Sequence, residues 1–124
     1  MALRNATPDE MRLLSFLVHD AKGIVGSPSD LLAQMKVADM DDGGMGSLRL
    51  VPEGDDPNDS MFGKQVSACQ FTDLDGVEVI ASLNIDRKGH LYELDIWKTN
   101  YGKLIGIPKD TSDFRRLGES YAYP

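Results

Sequence analysis

The chain is poor in the features that most often reveal a function. It has one cysteine, Cys69, so it can form no internal disulfide and no multi-cysteine metal site. Its two histidines, His19 and His90, have no metal-ligand partner at helical or turn spacing. No apolar run approaches the ~20 residues of a membrane span. The opening MALRNATPDEM lacks the basic and then apolar pattern of a secretory signal, so a cytoplasmic protein is expected. Basic residues are outnumbered, 13 against 20 acids. Gly43-Gly44-Met45-Gly46 resembles a phosphate loop in composition only. It lacks the Lys-Ser/Thr partner, sits among aspartates that repel phosphate, and reads as a turn at a strand entry.

What is present points to one soluble domain spanning residues 1–124, with 41% hydrophobic residues and a modest core. The net charge of −7 is concentrated. Between residues 37 and 60 stand Asp39, Asp41, Asp42, Glu53, Asp55, Asp56 and Asp59 against the single base Arg49, which is −6 of the total. Such a field argues against nucleic acid and favours a basic partner or a cation. Arg115-Arg116 is too short a basic patch to reverse that.

Thr7-Pro8-Asp9-Glu10 is a helix start with a capping box. The helix should run to about Asp20 and bury Met11, Leu14, Leu17 and Val18, with Leu13 and Phe16 broadening the stripe. Ser27-Pro28-Ser29-Asp30 opens a shorter helix, expected to reach Lys36 and to bury Leu31, Leu32 and Met35. Ser47 to Val51 reads as a short strand, and Pro52 to Ser60 as an acidic, mobile loop.

From Phe71 to Lys98 the sequence alternates with period two around two tight turns, DLDG and DRKG. Phe71 should pair with Val79 and Cys69 with Ala81. Across the second turn Ile85 is expected opposite His90, Leu83 opposite Tyr92, Ala81 opposite Leu94 and Val79 opposite Ile96. Leu104 to Ile107 suits a last edge strand, and Asp113 to Leu117 a short helix in the tail, residues 109–124. The fold class is therefore α+β: two N-terminal helices packed on one face of a four- to five-stranded antiparallel meander.

The same register gives a second, mixed face. It carries Gln70, Thr72, Glu78, Ile80, Ser82, Asn84, Leu91, Glu93, Asp95 and Trp97, the only tryptophan. Trp97 is expected across from Glu78, and Asp95 across from Ile80. The apolar members ask for a cover, which could be the tail with Tyr121 and Tyr123, a second subunit, or a ligand. Glu78, Glu93 and Asp95 could do acid–base work or hold Mg²⁺ or Ca²⁺, or could simply form a polar rim paired with Arg87, Lys98 or Lys103. No metal or cofactor is expected. Asp73-x-Asp75-Gly76-x-Glu78 matches half a calcium loop in length, and a hairpin turn explains it. Cys69 reads as a buried structural thiol, and His19 as a complement to its helix dipole.

The strings MGSL, DLDGV and LYELDIWK, with the short LIGIP end, resemble a group of small bacterial domains of unknown function over roughly residues 9–108. That resemblance implies no activity and no catalytic residues. In general character the chain is also similar to immunity proteins of bacterial toxin systems and to products of mobile gene cassettes. Two functional expectations follow. The first is a non-enzymatic protein-interaction domain of immunity or accessory type, taking a basic partner on Glu53, Asp55, Asp56 and Asp59. The alternative is a small-molecule site or enzyme built on Glu78, Glu93, Asp95 and Trp97. A homodimer burying Ile80, Leu91 and Trp97 is a third possibility.

Overall fold

In the computed structural model, residues 1–19 and 21–118 are described. They form two helices and a six-stranded antiparallel sheet. Helix α1 spans Pro8–His19 and starts on the expected capping box: Thr7 N donates to Glu10 Oε1 at 2.8 Å, and Glu10 N donates to Thr7 Oγ1 at 3.1 Å. Leu13, Leu14, Leu17 and Val18 are buried, each contributing roughly 1.5–3 kcal/mol. The expected end at Asp20 lies outside the described residues.

Helix α2 is shorter than expected, Pro28–Ala33, because Lys36–Asp39 leaves the helix to become strand β1. The remaining strands are β2 Leu48–Val51, β3 Phe62–Thr72, β4 Glu78–Asp86, β5 Leu91–Lys98 and β6 Arg115–Arg116, in the order β1-β2-β5-β4-β3-β6. Two tail expectations are corrected. Residues 104–107 form no strand, because the backbone N–H groups of Ile105 and Gly106 are claimed by the Asp73 carboxylate. Residues 113–117 form no helix. A 3₁₀ turn, Thr111–Asp113, leads into β6, which pairs Arg116 with Cys69 and Arg115 with Gln70.

The β3–β4 register is as expected, with Cys69 opposite Ala81 and Phe71 opposite Val79. The β4–β5 register is displaced by two residues. Val79 meets Lys98, Ile80 meets Trp97, Ala81 meets Ile96, Ser82 meets Asp95 and Leu83 meets Leu94. A bulge between Asn84 and Ile85 then sets Ile85 opposite Leu91. The extra residue changes the alternation near the turn, so Leu91 joins the core instead of the mixed face.

The core gathers the α1 stripe with Leu32, Met35, Val37, Leu48, Leu50 and the inward residues of β3, β4 and β5. Phe114 extends it, its ring centroid 5.2 Å from Phe16 of α1 and 5.8 Å from Phe71 of β3. Cys69 is fully buried there, and burial pushes its thiol up to about 12, which fits a structural thiol. No helix among the described residues is long and apolar enough to cross a membrane.

Candidate functional site

Strand β5 carries carboxylate chemistry on its mixed face and an ionic joint at its end. At the joint, Asp73 closes the chain after β3, Asp75 sits in the turn, and Lys98 ends β5. Lys98 Nζ donates to Asp73 Oδ2 at 2.8 Å, to Asp75 Oδ2 at 2.6 Å and to the Lys103 carbonyl at 2.9 Å. Asp73 also accepts from the backbone N–H of Leu74, Ile105 and Gly106. The side chains of Lys98 and Asp73 are 1% and 0% exposed. Burial alone would raise Asp73, but Lys98 and the three N–H donors bring it down to about 2. Burial alone would lower Lys98, and its two carboxylate partners reverse that and raise it. The strings DLDG, WK and LIG thus form one joint. A calcium reading of Asp73 and Asp75 is removed, because an ammonium group occupies their oxygens.

Glu78 is also satisfied. Gln70 Nε2 donates to it at 2.6 Å and Thr72 Oγ1 at 2.9 Å, and these bonds hold its carboxyl below the ordinary range. It stands apart from Trp97, which faces Ile80.

Glu93 and Asp95 behave in the opposite way. Burial pushes Glu93 up, and the Asp95 charge adds to that; Asn84 Nδ2, at 3.4 Å, and Arg49 only partly offset it. Burial pushes Asp95 up too, with Asp42 adding to it and Ser47 Oγ, at 3.4 Å, opposing it. Their cross-strand neighbours on β4 are buried: Ser82 is 0% and Asn84 5% exposed. The mixed face is therefore closed over β4. The hydroxyl of Ser82 and Nε of Arg49 are buried without a hydrogen-bond partner. A cover supplied by Tyr121 and Tyr123 lies outside the described residues.

Beside Asp95 opens a cleft of about 220 Å³, lined by Asp42, Met45, Ser47, Asp95, Trp97 and Tyr101. Its floor is built by the glycine-rich turn. Asp42 accepts from the N–H of Met45 and Ser47, and Gly43, Gly44 and Gly46 all have φ between 75° and 99°. Trp97 and Tyr101 line it with ring centroids 6.2 Å apart. A larger cleft, about 380 Å³, lies by Lys22, Lys64 and Arg116, away from these carboxylates.

The acidic loop supplies the other group of candidates. Glu53, Asp56 and Asp59 are exposed, whereas Asp55 is turned toward His90, with Oδ2 3.1 Å from Nδ1. Asp39 is neutralised by Arg4, which also pairs with Glu10. Next to the loop, Met61 and Phe62 are 59% and 52% exposed. Phe62 meets Tyr92 edge-on at 6.5 Å, and the Arg49 guanidinium lies 3.9 Å from the Tyr92 ring centroid while donating to the Pro57 carbonyl. The sequence singles out neither Arg49 nor Tyr92. The bulge that brings Tyr92 to this side is invisible in a period-two pattern.

No curated protein and no solved structure matches the chain. The family model described as "Domain of unknown function (DUF6984)" matches residues 3–108, and the chain belongs to that family.

Proposed function

We propose that the chain is a cytoplasmic, two-layer α+β interaction domain, with its helices covering one sheet face, that binds a basic protein through the 53–62 segment. One observation carries this: the exposed carboxylates of Glu53, Asp56 and Asp59 stand in sequence beside the exposed apolar side chains of Met61 and Phe62. A charged rim steers a partner, and adjoining aromatic and methionine surface gives it something to bury. An immunity or accessory role, in which a small acidic chain neutralises a basic protein, is one biological form of this proposal.

The test compares wild type with a Glu53→Lys, Asp56→Lys, Asp59→Lys variant as baits in extracts of the native cell. A protein held by wild type is then purified and titrated by calorimetry against both. The expected outcome is a basic protein whose Kd weakens by about tenfold or more on charge reversal and rises with salt. Affinity indifferent to the reversal, or no protein held by wild type, overturns the proposal.

A second reading is supported by the raised carboxyls of Glu93 and Asp95 beside the Trp97–Tyr101 cleft: a small cationic molecule held there, or an acid–base reaction. Ligand-induced change in Trp97 fluorescence, lost in Asp95→Asn, tests it. A homodimer competes with both; since Ile80 and Leu91 are buried within the chain, it would form through Trp97, and light scattering from a stable monomer would remove it.

A further inference from the structure

The hairpin turn between β4 and β5 brings together three side chains that the sequence keeps apart. Asp55 comes from the acidic loop, Asp86 ends β4, and His90 stands just before β5. One ligand atom from each lies within 4.8 Å of the others. We propose that Asp55, Asp86 and His90 form a binding site for a first-row divalent cation, Zn²⁺ being the best fit.

The donor set is one imidazole nitrogen and two carboxylate oxygens. Imidazole favours Zn²⁺ and its neighbours in the transition series over Mg²⁺ and Ca²⁺, while the two carboxylates supply the charge that a divalent ion requires. The 3.1 Å between His90 Nδ1 and Asp55 Oδ2 suits two adjacent ligands on one ion with bonds of about 2.0–2.2 Å. Three protein ligands leave coordination positions for water.

Asp86 is preorganised, and the backbone that carries His90 is fixed. Asp86 Oδ1 accepts from the N–H of Lys88 at 2.9 Å and of His90 at 3.0 Å, which fixes the carboxylate. The turn itself is closed by Asp86 N to His90 O at 2.9 Å and Gly89 N to Asp86 O at 3.1 Å. Gly89, at φ +87°, lies so near Val25 and the Gly23 carbonyl that an added Cβ would sit 2.8 Å from Val25 Cγ2. The turn is thus packed into place from outside as well as bonded within. Asp86 is buried, while Asp55 and His90 are partly exposed, so an ion can enter from solvent. The third ligand sits on the loop between β2 and β3, so a bound ion would fasten that loop to the β4–β5 turn. The inference is independent of the partner surface, which uses the outward carboxylates of the same loop.

The experiment is isothermal titration of the untagged full chain with Zn²⁺, alongside His90→Ala and Asp55→Asn, each checked for native circular dichroism. The Asp55→Asn change sits on an exposed loop and preserves volume, so it keeps the test decisive if His90→Ala misfolds. The expected result is one equivalent of Zn²⁺ bound by wild type. Affinity in each variant should fall by more than the roughly 10–100-fold that loss of an outer-shell partner costs. Zn²⁺ should also slow proteolysis within residues 52–60 of wild type and leave Asp55→Asn unprotected. Absence of saturable binding, or binding that survives in a folded His90→Ala or Asp55→Asn chain, overturns the proposal.

Discussion

The carboxylates at the end of β5 and those along its mixed face use the same chemistry with opposite results. Asp73 is completely buried yet held down to about 2, because Lys98 and three backbone N–H groups meet its oxygens. Glu93 and Asp95 are less buried yet pushed upward, because burial outweighs the opposing bonds from Asn84 to Glu93 and from Ser47 to Asp95. Burial alone therefore does not decide the charge state; the balance between burial and the charges and donors that meet each carboxylate does. The first group is committed to structure. The second, pushed upward by burial, lowers stability at neutral pH.

The sharpest way to break the contrast is to remove the first group. Asp73→Ala leaves Lys98 buried without its main partner and should cost about 3–5 kcal/mol by urea unfolding. Adding Lys98→Met to that variant should restore part of the loss, since it removes the stranded charge. Equal stability of the single and double variants would contradict the account of the joint.

The pH dependence separates the two groups next. Asp73 moves from 3.8 to about 2 on folding, so the unfolded chain binds more protons across that window. Its contribution is present above pH 3.8 and is lost as pH falls toward 2. Glu93 and Asp95 have the opposite sign. Their folded values lie above the ordinary 4.5 and 3.8, so acidification through the raised values favours the folded state. Glu93→Gln or Asp95→Asn should therefore stabilise the protein at pH 7, by less than Asp73→Ala costs, with the gain disappearing below about pH 4. Equal gains at both pH values would mean that packing, not charge, is responsible.

The smallest effect belongs to an exposed pair. Lys109 Nζ reaches Asp9 at 2.8 Å with Lys109 78% exposed, and Lys109→Ala should leave the urea midpoint unchanged. A clear loss there would show that exposure does not separate decorative pairs from structural ones in this fold.

Local patterns carried the sequence reading far and failed at contacts between distant segments. The capping box of α1, the buried stripe behind it and the β3–β4 register are all local, and the residues near each signal suffice to specify them. Strand β1 is hidden because Lys36-Val37-Ala38-Asp39 lies just past a helical stripe and finds its partners in β2 and in Arg4, far off in the sequence. The β4–β5 register slips by two because the turn takes up one residue more than expected and a bulge absorbs another, and that bulge carries Leu91 into the core. The mixed face is readable from alternation, but its separation into a Glu78 held down and a Glu93–Asp95 pair pushed up depends on donors and burial contributed by other strands. The approach of Asp55 to His90 spans 35 positions and leaves no periodic trace. Asp86 lies four positions before His90, and only the folded turn shows that its carboxylate and the imidazole converge.

The long strand β3 has a further consequence. Its stretch from Phe62 to Ser67 is interrupted twice, between Phe62 and Lys64 and again between Gln65 and Ser67. At Gly63 an added Cβ would come within 2.6 Å of the Asp86 carbonyl, so only glycine fits the first interruption. Irregular borders of this kind offer no straight ladder of amides for a foreign strand to continue, and Lys64 in the middle discourages stacking further. This border is thereby a poor template for joining copies side by side into fibres. A contact at this border would draw on side chains more than on shared backbone pairing.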